Sequence, residues 1–312
     1  MRICSLVPSA TETLFAIGAS ECVAGVTFEC DFPAEARQKR VVVRTRLAPT
    51  HNPAEIDRQV REFVSRGESL YEIDAEALRD IQPDLIITQD LCHVCAASPG
   101  DLASALAKLP VAPAVLSLDP KSLADVWNDI RKIGDAVNHN RQAADLVGEL
   151  RNRVEKVRQA AARTNTRPRV VCLEWLDPPY VAGHWVPEMV AIAGGTDVLG
   201  DAAKPGVRTT WEAVLASRPE VIVVMPCGYD LRCTLEEFSR TELPDEWETL
   251  PAVHNERVYA VDGSAYFSRP GPRLAGGVEI LAGIIHPELA LCTPPPSSVA
   301  KAARALPRLK VQ

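Results

Sequence analysis

The fourteen residues ALRDIQPDLIITQD (77–90) return without gaps as AVLASRPEVIVVMP (213–226). Pro83 aligns with Pro219, and Asp84 with Glu220. Each copy reads as a helix end, a proline that cannot continue the helix, an acidic residue and a short aliphatic run suited to a buried strand. A helix that feeds a buried strand is half of a parallel-sheet unit. Its recurrence at the same relative place in each half predicts two similar α/β lobes.

Strand-like and helical segments alternate outward from both copies. In the first half, 2–7, 22–27, 85–88 and 114–118 read as strands. Residues 10–17 read as a helix ending at Gly18, 55–66 as a helix with Ile56, Val60, Phe63 and Val64 on one face, and 74–81 as a helix with Asp74 as N-cap. Between about 122 and 162 an apolar stripe of helical period includes Val126, Ile130, Ile133, Leu146, Leu150 and Val154. An unbroken helix of that length would run about 60 Å, so Gly134 and the polar NHNR at 138–141 are expected to divide it. The second half offers strands at 170–174, 221–225 and 258–261, and helices at 187–193, 211–216 and 271–285. The expected organisation is an N-terminal lobe (1–119), a connecting long helix (120–163), a C-terminal lobe (164–289) and a proline-rich flexible tail (290–312) with a short helix over 298–305.

Composition removes several function classes. A chain of 312 residues with 46% apolar and 24% charged residues has the make-up of a folded globular protein. Its formal net charge of −7 argues against a nucleic-acid binder, which needs a basic face. No apolar run approaches the about 18 to 20 residues that span a bilayer, so membrane insertion is not expected. The opening MRICSLVPSATE lacks an apolar secretory core, which predicts a cytoplasmic protein, or a periplasmic one if a signal has been removed. Nine cysteines, odd in number and irregularly spaced, do not resemble a disulfide framework.

In open parallel sheets ligands bind beyond the C-terminal ends of the strands. In the first half those ends carry Ser9, then Phe28 and Glu29, then Asp90 and His93. In the second they carry Trp175, Tyr229, Tyr266, Phe267 and Arg269, with His184, Trp185 and Trp211 in connecting segments. Aromatic side chains so concentrated suit a flat, bulky, partly apolar ligand; capping of the lobe cores is the alternative. His93 and His184 could offer imidazoles to a metal centre. Arg269 and Arg273 could meet an anion or form salt bridges, and Glu12 and Glu174 could orient polar ligand groups or cap helices.

Three stretches, RICSLVPSATETLFAIGASECVAGVTFECDFP, GESLYEIDAEALRDIQPDLIITQ and NERVYAVDGSAYFSRPGPRLAGGVEILAGIIHPE, resemble the class III periplasmic substrate-binding proteins. These deliver vitamin B12, haem and iron siderophores to ABC transporters, and the branch labelled cobalamin-binding is the most similar. The resemblance covers about residues 1–288. It implies two Rossmann-like lobes with parallel sheets, joined by a long interdomain helix, with a ligand cleft between the lobes. It also implies an ABC transporter permease as partner, docked in transport members through acidic surface residues on each lobe. The expected function is therefore non-catalytic binding of cobalamin, another corrinoid or a related metal chelate.

Cys30, Cys92, Cys95 and Cys227 also fall at strand ends. Four thiolates can close a zinc site or hold an iron–sulfur cluster, so a cytoplasmic metal- or iron–sulfur-binding protein on the same fold is the alternative. The C-x-x-C spacing of Cys92 and Cys95 is weak evidence by itself. Cys4, Cys22 and Cys172 lie within strands and are expected to act as small core hydrophobes; Cys233 and Cys292 have no evident partner. Phosphate-loop, dinucleotide, H-E-x-x-H and G-x-S-x-G motifs are missing from the sequence, and catalysis is not expected.

Overall fold

The computed structural model describes residues 1–50, 52–90, 99–289 and 295–302. The chain divides into two units: Met1–Leu150 with Pro270–Pro272, and Arg151–Arg269 with the residues from Arg273 onward.

The first unit runs β1 (Ile3–Ser5), α1 (Pro8–Ala16), β2 (Val23–Thr27), β3 (Arg40–Thr45), α2 (Pro53–Ser65), β4 (Tyr71–Ile73), α3 (Ala75–Ile81), β5 (Leu85–Gln89), α4 (Pro99–Leu106), β6 (Ala114–Leu118) and α5 (Leu123–Ala136), then enters α6 (Asn140–Ala161). The unit boundary falls within α6. Its sheet has the order β4-β3-β2-β1-β5-β6, with every pair parallel except β3 with β4. β1 lies mid-sheet, and Ile3, Cys4 and Ser5 are buried as a strand covered on both faces requires. Close packing there explains Gly25 in β2: a Cβ at that position would come within 2.8 Å of Cys4 Sγ and 2.9 Å of Val42. Cys4 is a core residue, and burial pushes its thiol up to about 12.

The second unit continues through β7 (Arg169–Leu176), β8 (Pro179–Val181), α7 (Val186–Ile192), β9 (Thr196–Asp197), β10 (Val207–Arg208), α8 (Trp211–Ser217), β11 (Val221–Val224), α9 (Leu231–Arg240), α10 (Pro251–His254), β12 (Val258–Val261), α11 (Leu274–Ile285) and β13 (Val299–Lys301). Its sheet order is β10-β8-β7-β11-β12-β13, with β9 also on β7. β7, β9, β11 and β12 pair in parallel, and β8, β10 and β13 are antiparallel additions. The architecture is thus mixed α/β with two largely parallel sheets.

The duplicated stretch folds alike in both units. Asp74 caps α3 by accepting from the Ala77 amide at 2.8 Å, and Thr210 caps α8 by accepting from the Ala213 amide at 3.2 Å. Gln82 and Arg218 then end their helices in the left-handed region, at φ 48° and 43°. Asp84 Oδ2 accepts from the amide of Arg2 at 2.6 Å, and Glu220 Oε2 from that of Arg169 at 2.9 Å. Each carboxylate therefore ties its turn to the start of the neighbouring strand.

The structure corrects several local expectations. The segment 40–45 is a strand, and α4 and α9 are helices not read from the sequence. The 122–162 stretch divides at 137–139, in the region marked by Gly134 and NHNR. Cys22 ends a short 3-10 turn and is only partly buried. Val64 turns outward, 53% exposed, so it leaves the apolar face of α2. Instead of a helix over 298–305, Val299–Lys301 pairs with Tyr259–Val261 as an antiparallel edge strand. That pairing satisfies the outer backbone groups of β12, which an unpaired edge would leave open.

Candidate functional site: the strand-end loops of each unit

In the first unit β1 leads directly into α1, with Pro8 at the first helical position, where a missing N–H costs nothing. Ser9 is 3% exposed and packs on Gly271, where a Cβ would lie 3.3 Å from its own. Ser9, expected at the ligand, is thus a packed residue of the first unit in this structure. Two residues further, Thr11 Oγ1 donates to Ser5 Oγ at 2.8 Å and lies 3.1 Å from Cys30 Sγ. Cys30 is 4% exposed, so its thiol belongs to a buried hydroxyl network.

Beside it, Phe28 is 41% exposed, its ring 6.4 Å from that of Tyr71. Glu29 is partly exposed. Phe28, Cys30 and Arg37 help to line a small cavity of about 170 Å³. Asp90 is exposed, and its amide donates to Leu118 O at 2.8 Å. Cys92, His93 and Cys95 lie outside the described residues, as does Cys292.

A wider groove of about 770 Å³ on the same unit is lined in part by Phe15, Phe32, Glu21, Glu35 and Lys39. It follows the C-terminal half of α1 rather than the strand ends. Its lysine is engaged, donating to Ser20 O at 2.9 Å and lying 5.9 Å from the centre of the Phe15 ring.

In the second unit the end of β7 sets Trp175 edge-on to Tyr229, with ring centres 5.6 Å apart and planes at 68°. The Trp175 indole donates to Asp177 O at 3.1 Å, while Gly228, at φ 79°, makes the turn that delivers Tyr229. Both rings are partly exposed. Burial, then the nearby Glu237 and Cys233, push the Tyr229 phenol up to about 12, so it remains a neutral donor at physiological pH. Cys227 is exposed, and its amide donates to Glu174 O at 3.1 Å. The Glu174 carboxylate lies over Gly206, where a Cβ would approach Oε1 to 1.8 Å, so a larger residue there would require the carboxylate to move aside.

At the end of β12 a π-helical turn, Ser264–Ser268, carries Tyr266 half-buried, with the Arg273 guanidinium 6.0 Å from its ring centre. Burial raises the Tyr266 phenol above its ordinary value. Asp262 is also raised, by burial first, although Arg273 and Arg269 pull it down. Arg269 is partly exposed at the exit of this turn.

Three of the aromatic residues expected at the ligand pack within the unit. Trp185 and Phe267 are 3% and 2% exposed, and the Trp185 indole donates to Phe267 O at 2.7 Å, so both stabilise the interior. Trp211 packs edge-on to Trp247 at 5.8 Å, against the main core of the unit. His184 is half-buried at φ 51°, its ring stacked on Trp185 at 5.4 Å and its amide bonded to Lys204 O. The sequence reading gave no role to Tyr71, Asp177 or Asp230; their place at strand ends is the signal that could have found them. Among the described residues no group of three or more His, Cys, Asp and Glu side chains could hold a metal ion. The alternative built on a cysteine cluster is not favoured.

Residues 3–265 match the family model described as periplasmic binding protein. The chain belongs to that family. An uncharacterised ABC transporter substrate-binding lipoprotein of Bacillus subtilis, YvrC, is 26% identical over 294 residues, covering 92% of this chain and 80% of the relative. The vitamin B12-binding protein of Vibrio cholerae is 23% identical over 283 residues, covering 89% and 86%. The crystal structure of that organism's periplasmic vitamin B12-binding protein, BtuF, matches with a TM-score of 0.67 at 22% identity, over 91% of this chain and 96% of the other. A periplasmic haem-binding protein of Pseudomonas aeruginosa reaches 0.72 at 17% identity, covering 97% and 99%. Those two likenesses establish the two-lobed fold. Family members are substrate-binding proteins rather than enzymes, and among the described residues no helix is long and apolar enough to cross a membrane.

Proposed function

We propose that the protein is a non-catalytic binding protein for a corrinoid or a related metal chelate. The observation that carries this reading is the half-exposed Trp175–Tyr229 pair at the strand ends of the second unit. It supplies apolar ring surface together with the Tyr229 phenol as a hydrogen-bonding group, the composition that suits a large ring chelate. Phe28 and Tyr71 supply similar surface on the first unit. The site residues retained are Phe28, Glu29, Asp90, Trp175, His184, Tyr229, Tyr266 and Arg269. Vitamin B12-binding and haem-binding relatives support the ligand class.

Equilibrium dialysis against cobalamin, cobinamide and haem tests the reading. Binding of at least one at low micromolar concentration, weakened by Trp175→Ala, is expected; no binding of any of them at tens of micromolar would overturn it.

In this role the protein acts outside the cytoplasm and hands its ligand to an ABC transporter permease. The residues just before the two copies of the duplicated stretch offer a matched pair of acidic groups for docking. Glu76 and Glu212 are the second residues of α3 and α8, and both are exposed. A Glu76→Arg, Glu212→Arg variant is expected to keep its ligand affinity while losing stimulation of permease ATPase activity in reconstituted vesicles.

A further inference from the structure

The turn that carries Tyr266, Ser264–Ser268, is fixed at both ends by glycines. Before it, Gly263 is buried against the end of β11, where a Cβ would lie 2.5 Å from Pro226 O and 2.7 Å from Met225 O. Behind it, Gly277 of α11 leaves room for Tyr266 O, into which a Cβ would run. Hydrogen bonds add to the fastening. The Ser264 amide donates to Tyr229 O at 3.0 Å, and Asp262 Oδ1 accepts from the Ala265 amide at 2.7 Å. The backbone of the turn is therefore locked to α11 on one side and to the loop of Tyr229 on the other.

The Tyr266 ring has a glycine of its own. It lies over Gly276 of α11, where a Cβ would stand 3.2 Å from ring carbons Cδ1 and Cε1 and 3.7 Å from Arg153 Nη2. Arg153 is held in place by Glu279, to which it donates at 2.8 and 2.6 Å. We propose that Gly276 is a positioning residue of the ligand site: its bare backbone sets where the Tyr266 ring stands. The inference rests on the chelate-binding reading above, in which Tyr266 is a site residue. A methyl group at 276 sits closer to the ring than ordinary van der Waals contact, so its neighbour must give by a few tenths of an ångström. The backbone, pinned at Gly263 and Gly277, cannot supply that movement, and the ring turns about its own side-chain bonds instead. A displaced ring gives up contact with a flat ligand and must be reordered when the ligand binds.

Gly276→Ala separates position from stability. Alanine is the better helix former, so the variant is expected to melt no lower than the unaltered protein. Its affinity for whichever of cobalamin, cobinamide and haem the unaltered protein binds should nevertheless fall about fivefold in equilibrium dialysis. Gly283→Ala is the control, an exposed position on the same helix with no atom within 4 Å of its Cβ, and should leave affinity unchanged. In a Tyr266→Ala background Gly276→Ala should cost nothing further, because it acts through that ring. Four results would overturn the assignment and leave the chelate-binding reading intact: unchanged affinity in Gly276→Ala, an equal loss in Gly283→Ala, a loss that comes only with a lower melting temperature, or one that persists without the Tyr266 ring. If the unaltered protein binds none of the three chelates, the chelate-binding reading fails and this inference fails with it.

Discussion

The two copies of the helix–proline–strand unit differ less in what builds them than in what they present. Both use an oxygen-bearing N-cap, a left-handed helix end and a carboxylate clamped to the next strand's amide. The surroundings of the strand ends diverge. In the first unit β1 is flanked by parallel neighbours on both sides, and the nearby Cys30 thiol is drawn into a buried hydroxyl network. In the second, β7 turns back through the antiparallel β8, and the loops beyond it expose an aromatic pair and a thiol. Framework chemistry is shared because it satisfies backbone groups that any such unit must satisfy. Loop chemistry is free to differ, and ligand recognition resides there.

The severest challenge to this equivalence is cavity formation at matched strand centres. Ile86 and Ile222 are both fully buried, and Ile86→Ala and Ile222→Ala should each cost about 2–5 kcal/mol in urea unfolding. A cost confined to one copy would show that only one strand is central to its core. Next come the polar devices. Removing a cap, in Asp74→Ala or Thr210→Ala, should cost about 1 kcal/mol. Removing a clamp, in Asp84→Ala or Glu220→Ala, should cost about 1 kcal/mol, with the two copies within experimental error of each other.

A pH series probes a feature of the second unit. Burial, ahead of the opposing amide bonds from Gly200 and Leu199, raises the Asp197 carboxyl above its ordinary value. A raised native value means stability present at low pH that is lost as pH climbs from the ordinary aspartate range through the native one. Asp197→Asn should therefore flatten the fall in stability across weakly acidic pH, as read from melting temperatures. The smallest effect is a stabilising one. Gln82→Gly and Arg218→Gly relieve left-handed backbone and should each gain a few tenths of a kcal/mol to about 1 kcal/mol.

How much could be read in advance varied with physical cause. The strands 114–118 and 258–261 were legible to the residue, because a parallel-sheet strand between turn residues writes itself as a short, mostly aliphatic run. β8, β9 and β10 span only two or three residues each and carry no periodicity to detect. β13 hides in a proline-rich stretch, and its folding depends on the open edge of β12, which its own residues do not reveal. At the site, the concentration of aromatics on loops was visible, but their sorting was not. Trp185 is interior because its indole meets a carbonyl 82 positions away, whereas Trp175 bonds its neighbour at 177 and keeps a partly open ring.

The three residues Pro270–Pro272 bear on how the protein is made. They belong to the first unit, although Arg269 and Arg273 on either side belong to the second. During synthesis from the N-terminus, a unit that is otherwise complete by residue 150 waits for its last piece until most of the polypeptide has emerged. Cutting the gene between the lobes therefore separates the first unit from this segment. Producing the first lobe alone calls for a rearranged gene in which the Pro-Gly-Pro segment is supplied beside Ser9, against which Gly271 packs.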